Sequence, residues 1–418
     1  MDPALHRDGH GGQGHRHLPL RGDALFPGTD RTGGHAVPQL KLPVPGRIPP
    51  PQRDEGAVTT LFALLLSSLI VVGMLALVVD IGRLYIEREE LQNGADSAAL
   101  AAARGCAQDE RCDPSDLLSA AAAAARANAR DGAAQTTLRC LRVAGVTPMT
   151  CPYDDTQLTR CVGPRPSSGN FVEIRTSTET EDGSTLLPAT FGSALLGESY
   201  QGTRAMACAR AAWGALSAHP RAFRLGVHSC VFEGSPAPAF VPLEQIKAGT
   251  PDPAGETGVH RGLCAAEGSS PPEDDSVFAW LGASGDDCFQ KLEAGTAQPG
   301  SEITPGWAAA CRVDGRELTL DALFSENREP LVLPVYEPAA ESGGGNAYHI
   351  VGFAYFLPTG YWFGPHDFQN SWSTGSDCDM ADAETPQPCL IGFFTKGTLV
   401  GAVGPGDGYG LQAIQLIG

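Results

Sequence analysis

Between Ala57 and Val79 the chain runs for 23 residues without a charged side chain. At about 1.5 Å per residue such a run makes roughly 34 Å of helix, enough for the ~30 Å hydrocarbon layer of a bilayer. The apolar pattern does not stop there. Ile81, Leu84, Tyr85, Leu91, Ala95, Ala98 and Ala102 recur at three- and four-residue steps, while Arg83, Glu87, Arg88, Glu89, Glu90, Gln92 and Asn93 fill the other faces. This spacing predicts that the helix continues out of the apolar run as an amphipathic stem. The run is longer than the apolar part of a signal peptide, charged helix follows it directly, and the nearest small-residue cleavage site lies far beyond it, around Ala99–Ala103. The expectation is therefore a retained single-pass anchor in contact with lipid.

Cysteine placement orients that anchor. All twelve cysteines (Cys106, Cys112, Cys140, Cys151, Cys161, Cys208, Cys230, Cys264, Cys288, Cys311, Cys378 and Cys389) follow the apolar run, and none precedes it. An even set on one side predicts disulfides in an oxidising compartment. Close neighbours such as Cys106 and Cys112 suggest local bridges, although spacing does not fix the connectivity. There is no Cys-x-x-Cys, and the histidines do not stand at zinc-ligand spacing from the cysteines, which argues against structural zinc. The basic residues flanking the run (Lys41, Arg47 and Arg53 before it, Arg83 and Arg88 after it) barely favour an inside N-terminus. The cysteines settle the expectation: N-terminus cytoplasmic, C-terminal part extracytoplasmic.

Two strings within the stem resemble a known family. Val79-Asp80-Ile81-Gly82-Arg83-Leu84-Tyr85, then Glu90-Leu91-Gln92-Asn93 followed by Ala95-Asp96-Ser97-Ala98-Ala99-Leu100-Ala101, resemble the N-terminal signature of TadE/TadG-like Flp pilus-assembly proteins. Gly94 stands where that family usually has Ala. Segments near the C-terminus (348–354, 359–361 and 389–394) are similar to the tail of longer TadG-like proteins. The resemblance implies a non-enzymatic, membrane-anchored component of Flp, or tight-adherence, pilus assembly, acting as a minor pilin-like or scaffold protein. It also implies that Asp80, Gly82, Arg83, Tyr85, Leu91, Gln92, Asn93, Ala95, Asp96, Ala98, Ala99 and Ala102 are motif or helix-packing residues, with the small face of Gly94, Ala95, Ala98, Ala99 and Ala102 meeting other Tad proteins. Prepilin-type processing after Gly56 would call for Glu five residues on, where this chain has Leu61. The Asp-x-Ser-x-Ser triplet of the von Willebrand A domain found in some TadG-like proteins is absent.

The net charge is −19. Residues 1–56 contribute +1 and the apolar run nothing, which leaves −20 for the exported part. Such a surface disfavours nucleic acid and anionic lipid headgroups as partners. Residues 1–55 hold nine Pro, nine Gly and five His with no periodic apolar face. This leader cannot bury a core, and a start assigned too far upstream would produce one like it.

The expected fold class is α+β: a long N-terminal transmembrane and stem α-helix, then a disulfide-containing, β-rich extracytoplasmic part. The expected divisions are the leader at 1–55, the anchor and stem at 56–104, a membrane-proximal α+β module at 105–215 and a β-rich domain at 223–418. Asp116–Arg130 reads as a helix capped by Asp113 or Ser115 and stopped by Gly132. Phe171–Ser177, Gly202–Gly214, Leu331–Tyr336, Tyr348–Leu357, Cys389–Phe394 and Leu411–Ile417 read as strands, and Leu186–Leu196 as a short amphipathic helix.

Signs of chemistry are weak. The glycines of 404–410 lack the strand–turn–helix context of a phosphate loop. His228, His260, His349 and His366 have no nucleophile-elbow serine, and His349, inside an apolar strand, reads as a core histidine. Glu273–Asp275 and Asp286–Asp287 read as solvated loops rather than calcium ligands. No cofactor, metal site or catalytic residue is expected. An anchored extracytoplasmic hydrolase or binding protein unrelated to pili is the alternative, and it would need a polar cleft around His349, Asp367 and Ser371.

Overall fold

The computed structural model describes residues 55–67, 70–108, 112–144, 151, 161–188, 200–233, 237–247, 255–259, 264, 277–282, 285–304, 310–326, 329–338, 347–363, 367–369, 388–404 and 408–418. The leader expected at 1–55 lies outside these residues except for Glu55. The chain divides into two units, Met1–Phe62 and Ala63–Gly418.

Helix α1 covers Glu55–Ser67 and α2 covers Ile70–Gln108. The apolar run falls partly in α1 and partly in α2, and residues 68 and 69 lie outside the described residues. No described helix is by itself long and apolar enough to cross a membrane. The amphipathic continuation is present: α2 runs unbroken for 39 residues, from Ile70 through the charged segment to Gln108. Helix α3, Pro114–Asn128, turns back against it. Asp113 caps α3, its Oδ1 accepting from the Ser115 N–H at 2.8 Å, and Pro114 takes the first position, where a missing N–H costs nothing. Gly132, in a turn just beyond α3, holds a φ of +70°, a conformation open to glycine at no steric cost.

Two sheets follow. The first contains β1 (Gln135–Arg142), β2 (Asn170–Ser177) and β3 (Met206–Ala215). Strands β4 (Ala218–Phe223) and β8 (Phe289–Glu293) pair with each other alone, as do β10 (Ala310–Val313) and β11 (Arg316–Thr319). The second large sheet uses β5 (Leu225–His228), β6 (Thr257–Val259), β7 (Phe278–Leu281), β9 (Ala297–Glu302), β12 (Leu331–Pro338), β13 (Ala347–Trp362), β14 (Asp367–Gln369) and β15 (Cys389–Phe394). Its order is β12-β5-β7-β9-β13-β15-β6, and β12 also pairs with β13. That last pairing closes β12, β5, β7, β9 and β13 into a ring.

The ring explains why β12 reads LVLPVY without alternation: it is buried on two sides. Leu331, Leu333 and Val335 join one core with Leu225, Val227 and Phe356, whereas Val332 and Tyr336 join another with Leu281, Ile350 and Phe353. Strand β13 continues past the ring to carry β15, and its register shifts between Pro358 and Gly360, where a proline without an N–H is tolerated.

The last two strands, β16 (Gly397–Val400) and β17 (Leu411–Leu416), return to the first sheet, whose order is β1-β2-β3-β17-β16. The segment from β4 to β15 is thus an insertion between strands of the sheet that packs on α2. The strands expected at 171–177, 331–336, 348–357, 389–394 and 411–417 correspond to β2, β12, β13, β15 and β17. The strand expected at 202–214 begins later, at Met206. The helix expected at 186–196 falls mostly outside the described residues, and Leu187 instead forms a β-bridge to Thr203.

Five disulfides are described: Cys106–Cys112, Cys140–Cys151, Cys161–Cys208, Cys230–Cys264 and Cys288–Cys311. Cys389 is disulfide-bonded as well, and Cys378 lies outside the described residues. The β-rich, disulfide-containing character read from the sequence is therefore present.

Candidate functional site

The motif residues of the stem fall into two groups. Leu91, Ala95, Ala98, Ala99 and Ala102 are buried, the four alanines at 0% exposure. They pack on Leu117, Ala121 and Ala125 of α3 and on Val172, Ile174, Ala209, Ala211, Trp213 and Ile414 of the first sheet. Gly94 permits the closest approach, since a Cβ there would stand 3.3 Å from the Ala125 carbonyl oxygen. The small face that the sequence offered to a partner helix is occupied by the chain's own α3 and sheet. The physical reason lies in α3: its alanines at 121 and 125 present an equally small face, so the two backbones close on each other.

Polar motif residues brace this packing. Gln92 Nε2 donates to Asp96 Oδ1 at 2.9 Å and to the Cys208 carbonyl at 3.3 Å. Thr176 Oγ1 donates to the Leu91 carbonyl at 2.7 Å. Asn93 is exposed.

The second group lies before Leu91. Asp80 and Gly82 are half-buried and Arg83 is exposed. Ile81, Tyr85 and Ile86 face outward, Tyr85 at 65% exposure. Added bulk at Gly82 would meet nothing within 4 Å. Further back, Val58, Leu61, Phe62, Leu64, Met74, Leu75 and Val78 are all more than half exposed. Within α2, Ala76 is buried, but most of the described apolar side chains before Leu91 are exposed.

A groove of about 390 Å³ lies where α2 leaves the sheet, lined by Ile86, Glu87 and Glu90 together with Arg130, Asp131 and Glu181. Glu90 Oε2 accepts the Arg130 N–H at 3.0 Å. Burial pushes the Glu87 carboxyl above its ordinary value, the charges of Asp131 and Glu90 add to this, and a hydrogen bond from Thr178 opposes it.

A buried ion network ties the first sheet together. Glu173 accepts from Arg210 Nε at 2.8 Å and from Arg165 Nε and Nη2 at 2.9 Å. Arg210 Nη1 also donates to the carbonyls of Val162, Gly163 and Pro164. Composition gave no sign of it, because Glu173 sits in β2 among other polar residues and Arg210 stands alone in the otherwise apolar β3. Among the described residues, Cys161, Glu173 and Cys208 are close enough to hold a metal. The two sulfurs are bonded to each other and Glu173 is paired with two arginines, so these residues do not fit a cation.

The histidines split. His228 is buried, its Nδ1 accepting from the Cys230 N–H at 3.0 Å and its ring edge-on to Tyr336. His349 is only half-buried on β13, unlike the core histidine expected there. His260, His366 and Ser371 lie outside the described residues, as do residues 405–407 of the glycine loop and the acidic run 273–275.

These features define a class: a long helix, α2, with mostly exposed apolar side chains in its first half, built through its second half into a disulfide-bonded α+β body. Residues 56–105, which span α1 and nearly all of α2, match the family model described as "Putative Flp pilus-assembly TadE/G-like". Neither the curated proteins nor the solved structures contain a match to the chain.

Proposed function

We propose that this protein is a membrane-anchored, non-enzymatic component of Flp pilus assembly, of the minor pilin-like or scaffold kind. The observation that carries the reading is the coincidence of the TadE/G-like match at 56–105 with helices α1 and α2, whose described apolar side chains before Leu91 are mostly exposed and whose residues from Leu91 on are packed into the body. The charge-free run 57–79 supplies the anchor, for which lipid is the natural solvent. The disulfides support an oxidising, extracytoplasmic location for everything after it. The small-residue face is filled from within, so contacts with other Tad proteins fall to the outward-facing residues before Leu91, such as Ile81, Tyr85 and Ile86. The distal β-rich body then serves for display or partner recognition.

The test is topological and genetic. The protein should stay with membranes after alkaline extraction. A reporter active only outside the cytoplasm should work when fused after Gly418 and fail when fused at residue 50. Deleting the gene should abolish Flp piliation. Release of the protein by alkali, the reverse reporter pattern, or wild-type piliation in the deletion strain would each overturn the corresponding part of the reading.

A further inference from the structure

Strand β17 belongs to two cores at once. Along it, Leu411 and Ala413 pack with Leu281, Val332, Tyr336 and Phe353 of the ring, whereas Ile414 packs with Ala95, Ala98 and Trp213 around the stem helix. Alternate side chains of a strand point to opposite faces, so one short element serves two hydrophobic clusters. Its backbone completes the first sheet, pairing antiparallel with β3 from Gln412↔Ala215 to Leu416↔Ala211 and parallel with β16. Beyond the strand, the Ile417 N–H donates to the Arg210 carbonyl and the Arg210 N–H donates to the Gly418 carbonyl. Arg210 is the residue whose side chain holds Glu173.

We propose that β17 is a closing strap that couples the distal body to the stem. The argument is topological. The body from β4 to β15 is inserted between β3 and β16, so the strap reaches its slot beside β3 only across a folded ring that receives Leu411 and Ala413. Until it docks, β3 is a sheet edge with unpaired N–H and C=O groups, and the stem alanines lack Ile414 as a neighbour. A change that loosens the ring's contact with Leu411 and Ala413 therefore loosens the stem, and by linkage the reverse holds as well. The strap is a property of the body and stands whether or not the chain acts in pilus assembly.

Hydrogen exchange on the full-length protein in detergent tests this. Three variants separate the outcomes. Phe353→Ala opens the ring core that β17 touches. Ile414→Val trims the stem side of the strap gently enough to preserve folding. Leu323→Ala opens the other distal core, the one to which neither Leu411 nor Ala413 belongs. The expected result is about tenfold faster exchange of β3 and β17 amides in Phe353→Ala, with faster exchange also in α2 residues 91–103. Ile414→Val should speed β3, β17 and the same part of α2. Leu323→Ala should leave all of them unchanged. Unchanged β3 and α2 exchange in Phe353→Ala would overturn the coupling. So would equal loosening of the stem by Leu323→Ala, because the body would then be one cooperative unit with no special strand.

Discussion

Arg210 Nε donates to Glu173 Oε2 at 2.8 Å, with both side chains at 6% exposure or less. Burial alone would raise the Glu173 carboxyl, but hydrogen bonds from Arg165 and Arg210 outweigh it and hold the carboxyl below its ordinary value. The sign follows: a carboxyl depressed in the folded state adds stability above its unfolded pKa, and that stability fades as pH falls through the folded value. Melting temperature should therefore drop below about pH 4.5. In Glu173→Gln the drop should be shallower and the neutral-pH stability lower by about 3–5 kcal/mol, as expected when one member of a buried pair is removed. Thermal melts of the two proteins from pH 3 to 8 check this. Parallel curves would refute it.

His228 behaves differently. Burial brings its pKa down to about 4, so the folded protein resists a proton that the unfolded chain accepts near pH 6.5. Stability from this source is full above about pH 6.5 and declines on acidification towards pH 4, by roughly 3 kcal/mol. Its Nδ1 accepts the Cys230 N–H, which only the neutral ring can do. A proton NMR titration should show His228 uncharged at pH 5. An ordinary titration near 6.5 would contradict the burial argument.

Ala98→Leu should destabilise the fold itself, because Ala98 is buried in the chain's own core. The side chain would enter a filled contact with α3, costing about 1–3 kcal/mol or more. Gly94→Leu should do the same against Ala125. Tyr85→Ala, on the exposed face, should leave the melting temperature within about 1 °C yet reduce recovery of co-purifying Tad proteins. Lost stability in Tyr85→Ala, or full partner recovery with it, would move the partner face elsewhere.

Replacing Cys161 and Cys208 together by serine should lower stability by about 2–5 kcal/mol, since their bridge ties residue 161 to strand β3. Without reductant, alkylation of the native protein should label few cysteines or none. Denaturing melts and mass spectrometry read the two effects.

Much of this was legible before any coordinates. The three- and four-residue spacing of the stem, the Asp113 cap and the apolar runs of β12, β13 and β15 are local signals, and local signals survive in sequence. The pairing of β17 with β3 was not legible. LQAIQLI reads as a strand, but nothing in it names a neighbour that lies on the far side of an entire inserted body. The small-residue stripe of α2 reads in sequence as a face for another protein, whereas in the fold it packs on α3 and the first sheet. Spacing says that a face is small, not who fills it. The available clue was a second Ala-rich helix directly after Cys106 and Cys112, two cysteines able to pin the turn of a helical hairpin. The ion pair Glu173–Arg210 left no trace, because a buried charge in a strand has the same sequence appearance as an outward-facing one.

In order along the chain, the described bridges join the first cysteine to the second, the third to the fourth, and so on to the tenth, with no loop enclosing or crossing another. Short loops close at the lowest entropic cost. A chain that enters an oxidising space from its N-terminal side therefore offers the second cysteine of each described pair just one unpaired predecessor, and that predecessor is its native partner. Correct oxidation needs no reshuffling and can keep pace with export. The same pattern leaves the seam between β3 and β17, two strands from distant parts of the chain, without a covalent stitch among the described bridges, so that seam can open without chemistry.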